Sequence, residues 1–168
     1  MNIVLLGMPL VGKTTIGRMI SEELSLPHID LDEKIEKNHG DNIYNLFIRL
    51  GEKQFRYIEN VHLKQINMNN SHVLSLGGGA ANEMNRDIIS LYSHRIWLQC
   101  SMAEIEKRGY EDRVKRPLLY NTNNLIERLY DLYKERKFYF SSLSNFKIDT
   151  DTIEINQTVQ SILRNINE

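Results

Sequence analysis

Ile3, Val4, Leu5 and Leu6 follow one another without a polar residue, so the segment Asn2 to Leu6 has no face for water and predicts a strand buried on both sides. The spacing then changes. Between Lys13 and Leu24 the apolar residues Ile16, Met19, Ile20 and Leu24 recur at helical intervals. A short strand fits Pro27 to Asp30. Helices follow from about Glu33 to Asn69, with breaks expected near Gly40 and at Gly51. Two more apolar runs, His72 to Leu76 and Arg95 to Gln99, predict strands. A long helix fits Asn124 to Ser142, a last strand Phe146 to Asp149, and a last helix Gln157 to Ile166. Strands separated by helices predict a three-layer α/β fold with a five-stranded parallel sheet covered on both faces. Ligands of such sheets sit at the carboxyl ends of the strands, and the motifs described next fall there.

The densest motif is Gly7-Met8-Pro9-Leu10-Val11-Gly12-Lys13-Thr14, which satisfies G-x-x-x-x-G-K-[ST] between a predicted strand and a predicted helix. Backbone N–H groups of Leu10, Val11 and Gly12 and the helix N-terminus suit a phosphate. Lys13 suits the β- and γ-phosphates of a nucleotide, and the Thr14 hydroxyl a Mg²⁺ position. The competing reading is a plain glycine turn with a surface lysine.

Asp30 and Asp32 close the second strand. Alternation along an extended chain puts them on one side, which suits one carboxylate near a metal and one near a substrate hydroxyl. Asp32 fits equally well as the N-cap of the helix beginning at Glu33. Arg56 and Glu59, three apart on a helix, can pair and present a planar guanidinium to a carboxylate; a surface salt bridge is the alternative. After the strand His72 to Leu76, the run Gly77-Gly78-Gly79 lets the backbone approach a ligand, or forms an ordinary flexible loop. Ser75 could reach the water shell of a metal. Residues 110–124 carry Arg113, Lys115 and Arg116 without periodicity, which suits a mobile lid closing on phosphates or a solvated loop. The aromatics around Arg136 (Tyr130, Tyr133, Phe138, Tyr139, Phe140) are expected in the core rather than as a base-stacking platform. The five histidines are scattered without metal-ligand spacing, and each reads as ordinary.

Composition narrows the classes. The chain has 168 residues, 41% hydrophobic and 26% charged, which suits one folded domain. A net charge of -1 advertises neither nucleic acid nor an acidic membrane as partner. One cysteine, Cys100, excludes an intramolecular disulfide and a cysteine-based zinc cluster. No apolar run spans a bilayer, and the start MNIVLLGMPLVGK lacks the basic segment of a signal peptide. A cytoplasmic monomer is the expectation.

Taken in order, GMPLVGKTT, DLD, GEKQFRYIE, SLGGG, RPLL, the arginine on the long helix and KIDTD resemble the shikimate kinase family over most of the chain. The phosphate loop is shared by many families; GExxFRxxE with GGG and RPLL is far more specific. The resemblance implies a nucleoside monophosphate kinase-like fold and transfer of the γ-phosphoryl group of ATP to shikimate with Mg²⁺. It implies that Lys13, Thr14 and Thr15 serve the nucleotide, and that Thr14 and, indirectly, Asp30 serve the metal. Asp32 would accept the proton from the attacking hydroxyl. Arg56, Gly78 with its neighbours Gly77 and Gly79, and Arg136 would hold shikimate, with Glu59 orienting Arg56. Arg116 would meet the phosphates, assisted by Arg113. The chain departs from its relatives at Leu10, where a glycine is usual, at Phe140, where many have a tyrosine, and at Ile153, near the adenine contact of some. A gluconate kinase, or a catalytically silent nucleotide-binding regulator, are the rival readings.

Overall fold

The computed structural model describes residues 1–112, 125–151 and 154–167. In chain order these form β1 (Asn2–Leu6), α1 (Lys13–Leu24), β2 (His28–Asp30), α2 (Leu31–His39), α3 (Ile43–Lys64) and β3 (His72–Ser75). A 3-10 turn (Glu83–Asn85) leads into the short α4 (Arg86–Ser90). Then come β4 (His94–Gln99), α5 (Met102–Asp112), α6 (Leu125–Leu143), β5 (Phe146–Asp149) and α7 (Ile155–Asn167).

The five strands make one sheet in the order β2-β3-β1-β4-β5, and every neighbouring pair is parallel. β1 is the central strand, with Leu5 opposite Ser75 on one side and Ile96 on the other. Successive side chains of a strand point to opposite faces. Ile3, Val4, Leu5 and Leu6 are all fully buried, so both faces of the sheet are covered at its centre. α1 packs on β3 and against α7, while α6 packs on β4 and against α4 and α5. The parallel arrangement brings the ends of β1, β2 and β3 to one edge, and with them the phosphate loop, Asp30 and the glycine run.

Several local features differ from the sequence expectation. β2 ends at Asp30 and α2 begins at once with Leu31, because Asp30 itself caps the helix: its Oδ1 accepts from the N–H groups of Asp32 (3.0 Å) and Glu33 (3.3 Å). Asp32 therefore lies in the first helical turn, so strand alternation does not set Asp30 and Asp32 on one side. The breaks expected at Gly40 and Gly51 are present. Gly40 closes α2 with φ 64°, and Gly51 interrupts α3 with φ 76° and ψ 163°, a backbone state that a side chain would strain. α4 and α5 were not expected. α5 runs through Asp112, so the stretch 110–124 starts inside a helix, and Arg113, Lys115, Arg116 and the rest of that stretch lie outside the described residues, as does Ile153. Of the aromatics around Arg136, Phe140 is buried, whereas Tyr130 and Phe138 are exposed and Tyr139 lines a cleft. Among the described residues no helix is long and apolar enough to cross a membrane.

Candidate functional site

The phosphate loop leaves β1 at Gly7 and enters α1 at Lys13. Leu10, at its turn, adopts φ 71°, a left-handed conformation that costs a non-glycine residue about 1–2 kcal/mol. Its side chain packs, partly buried, against the hydrophobic core, so that burial offsets the backbone cost. Val11 is buried, and Gly12 precedes the first turn of α1 with φ 91°. The Lys13 ammonium, itself buried, donates to the carbonyls of Gly7 (3.0 Å) and Met8 (2.7 Å). It is thereby folded over the loop that a phosphate would fill. Thr15, two positions on, is exposed.

Between Lys13 and Thr15, the Thr14 hydroxyl donates to Asp30 Oδ2 at 2.6 Å. A hydroxyl and a carboxylate from two different elements meet here at the end of β2. Hard oxygen donors few in number suit Mg²⁺, which keeps several waters and takes its remaining ligands from substrate phosphates. Among the described residues no cluster of three or more His, Cys, Asp or Glu forms a metal cage. The donor set thus fits a metal that arrives with a nucleotide.

On the other side of β3, the glycine run meets the carboxylates and arginines. A Cβ on Gly77 would sit 2.6 Å from Asp32 Oδ1 and 3.1 Å from Glu59 Oε1, so both carboxylates close on this backbone. A Cβ on Gly79 would run into the Arg56 guanidinium. Arg56 donates to Glu59 Oε2 at 2.6 Å and to Glu52 Oε1 at 3.0 Å, and its guanidinium lies 5.9 Å and 5.6 Å from the ring centres of Phe47 and Phe55. Glu59 is 1% exposed, which sets this pair apart from a surface salt bridge. Burial pushes the Glu59 carboxyl up from its ordinary value, and Arg56 pulls the other way. For Arg56 burial opposes the charge, but Glu59 and Glu52 outweigh it and raise its pKa.

Arg136, reaching in from α6, donates to the carbonyl of Gly78 at 3.0 Å. Burial, and next the Arg56 charge, lower its pKa to about 10. Among the described residues no carboxylate forms a salt bridge with it. Two guanidinium groups thus line one cleft of about 450 Å³, together with Glu52, Glu83, Glu135 and Tyr139. Arg56 is already paired there, so Arg136 is the guanidinium whose planar fork suits an incoming carboxylate. Gly79→Ala should displace Arg56 and weaken binding of a carboxylate ligand by about tenfold or more. Unchanged affinity in calorimetry would show that the guanidinium has room to move.

The structure therefore gathers Lys13, Thr14 and Asp30 at the phosphate loop, and Asp32, Arg56, Glu59 and Arg136 around Gly77, Gly78 and Gly79. Ser75 is placed differently from the expectation. Its hydroxyl, 1% exposed, donates to the Lys13 carbonyl (2.9 Å) and meets His28 Nε2 (2.9 Å), two partners inside the protein. His28 was read as ordinary; nothing local to it signals a contact with a residue 47 positions away.

Residues 9–167 match the sequence model of a family described as shikimate kinase. A shikimate kinase from Sulfurihydrogenibium sp. is 33% identical over 166 residues, covering 98% of this chain and 97% of its own length. Among solved structures, the shikimate kinase from Acinetobacter baumannii in complex with shikimate superposes with a TM-score of 0.93 at 32% identity, covering 99% of this chain and 92% of that one. A gluconokinase from Sinorhizobium meliloti, 13% identical with a TM-score of 0.63 and covering 99% of this chain and 91% of that one, shares the fold alone.

Proposed function

The chain belongs to the shikimate kinase family, and from that premise we propose that it transfers the γ-phosphoryl group of ATP to the 3-hydroxyl of shikimate, giving shikimate 3-phosphate and ADP. The observation that carries the substrate assignment is the pair of arginines in one cleft, a partly buried Arg56 held by Glu59 and a buried Arg136 held by the Gly78 carbonyl. A rigid acid with one carboxylate and ring hydroxyls matches that charge; a neutral polyol gives it nothing to pair with.

Phosphoryl transfer passes through a loose, charge-dispersed transition state, so the protein mainly positions the reactants and compensates charge. Leu10, Val11 and Gly12 offer the loop backbone to the phosphates, and Thr15 the next hydroxyl. Lys13 exchanges its two carbonyl partners for phosphate oxygens. Thr14 and Asp30 would hold Mg²⁺, which when bound neutralises part of the phosphate charge. Asp32, beside Gly77, orients the attacking hydroxyl and accepts its proton. Arg116, and Arg113 with it, are proposed for the phosphates on the strength of the RPLL motif. Ser75 has a supporting part, through the Lys13 carbonyl. A monomer and cytoplasmic residence belong to the same proposal.

The test is ADP release in a coupled assay with ATP and Mg²⁺. Turnover with shikimate and none above background with gluconate is expected. Preference for gluconate would overturn the assignment, and no turnover with either would favour a silent nucleotide-binding regulator.

A further inference from the structure

β2 meets the first turn of α1 at two points. His28 and Asp30 are two apart on an extended strand, so both side chains point the same way. Asp30 receives the Thr14 hydroxyl. His28 Nε2 lies 2.9 Å from Ser75 Oγ, and Ser75 Oγ lies 2.9 Å from the Lys13 carbonyl oxygen. A carbonyl oxygen only accepts, so the single Ser75 hydroxyl hydrogen goes to Lys13. The contact from His28 must then be a donation, which requires the hydrogen on Nε2. The relay also needs room. A Cβ on Gly17, one turn along α1, would sit 2.6 Å from Ser75 Oγ and 2.7 Å from His28 Nε2, so both atoms occupy the gap that a glycine leaves.

A hydrogen on Nε2 is available both in the imidazolium and in one tautomer of the neutral ring, so the donation to Ser75 rests on geometry alone.

We propose that His28 is a positioning residue of the phosphate loop, acting through Ser75 on the Lys13 carbonyl. With Asp30 on Thr14, it anchors two successive residues of α1 to the sheet, one by its backbone and one by its side chain. Anchoring of this kind presets the N–H groups of the helix start, the Lys13 stem and the Thr14 hydroxyl before the nucleotide arrives, which lowers the ordering cost of binding. The proposal rests on the reading of Gly7 to Thr14 as a nucleotide loop, but not on the identity of the acceptor.

Three variants test it: His28→Phe keeps the ring and loses the donor, His28→Gln restores an N–H near the Nε2 position, and Ser75→Ala removes the bridge. The readouts are the calorimetric affinity for Mg-ADP, which needs no acceptor, and KM for ATP and for shikimate under turnover. His28→Phe and Ser75→Ala should each weaken nucleotide affinity and raise KM for ATP by about three- to tenfold, with KM for shikimate unchanged. The double variant should be no worse than either single one, because both break the same relay. His28→Gln should stay within about twofold of the parent, a readout that a merely space-filling role would not give. Parental nucleotide affinity in His28→Phe, equal losses in His28→Phe and His28→Gln, or additive losses in the double variant would each overturn the proposal. If His28→Phe does not fold, the Ser75→Ala and His28→Gln values decide in the same way. A parent protein inactive on shikimate but binding Mg-ADP would sink the acceptor assignment and leave the relay standing.

Discussion

Asp32→Asn should keep the fold and lose about 10²- to 10⁴-fold in kcat. The substitution is nearly isosteric, and the helix cap does not depend on it, because Asp30 supplies the oxygen that receives the first N–H groups of α2. As a negative charge in the first turn, Asp32 gains about 0.3–1 kcal/mol from the helix dipole. For a chain of this size that shifts Tm by no more than about 5 °C. The chemistry is far more sensitive. A carboxylate beside Gly77 can take the proton of the attacking hydroxyl; a carboxamide in the same place can accept a hydrogen bond but cannot hold the proton. Near-parental turnover in the Asn variant, measured alongside an unchanged melting curve, would remove Asp32 from the proton transfer. A large fall in Tm would instead mean that its contact beside Gly77 is structural.

The methyl ester of shikimate should be a very poor substrate, with kcat/KM down roughly 30- to 5,000-fold, which corresponds to about 2–5 kcal/mol for a lost charge-assisted contact. The reason lies in Arg136. It is 6% exposed, it stands near a second guanidinium, and its only hydrogen-bond partner among the described residues is the Gly78 carbonyl. A bound carboxylate relieves that cost, and an ester does not. Arg56→Lys and Arg136→Lys should each raise KM for shikimate strongly, since a lysine offers a point charge without the planar fork. They should lower kcat as well if the ring shifts by about 1 Å. The same logic gives a pH dependence. The Arg136 charge is present below a pKa of about 10 and lost above it, so KM for shikimate should climb as pH rises through that value. Acid and ester phosphorylated with similar kcat/KM would remove the carboxylate clamp, and with it the main reason for preferring shikimate to a neutral polyol.

Much of the architecture could be read along the chain. The run Ile3 to Leu6 has no polar face and became the fully buried central strand. Lys13 to Leu24 kept its expected bounds, and the long helix before Phe146 was placed to within a residue at each end. These segments carry their signal locally. α4 was not legible because its five residues span little more than one helical turn, too few for a period to show. The site shows the same division. Lys13 and Thr14 belong to one contiguous motif, and the pairing of Arg56 with Glu59 follows from helical spacing. The placement of Asp30 and Asp32 on one strand face failed because one residue decides where a strand becomes a helix, and the cap went to the first aspartate. Arg136 on Gly78 joins residues 58 apart, and His28 on Ser75 joins residues 47 apart. The second contact exists only because β2 lies beside β3 in the sheet. Strand order is a property of the whole chain, so no reading of His28 and its neighbours could have shown it.

The central place of β1 bears on how the chain comes to be active during synthesis. β1 is the first strand to be made, yet its hydrogen-bonding neighbours are β3 and β4, which start at His72 and His94. At about 5–20 residues per second, both edges of that apolar strand are satisfied only some 5–20 s after it has been polymerised. β2, although translated before β3, pairs only with β3 and cannot take its place early. The phosphate loop that follows β1 is in the same position, since Lys13 is fastened through Ser75 and Thr14 through the end of β2. A nascent chain halted before His72 therefore carries the complete loop sequence with no sheet to shape it. Nucleotide can assist only the later part of folding, once the third strand has been delivered.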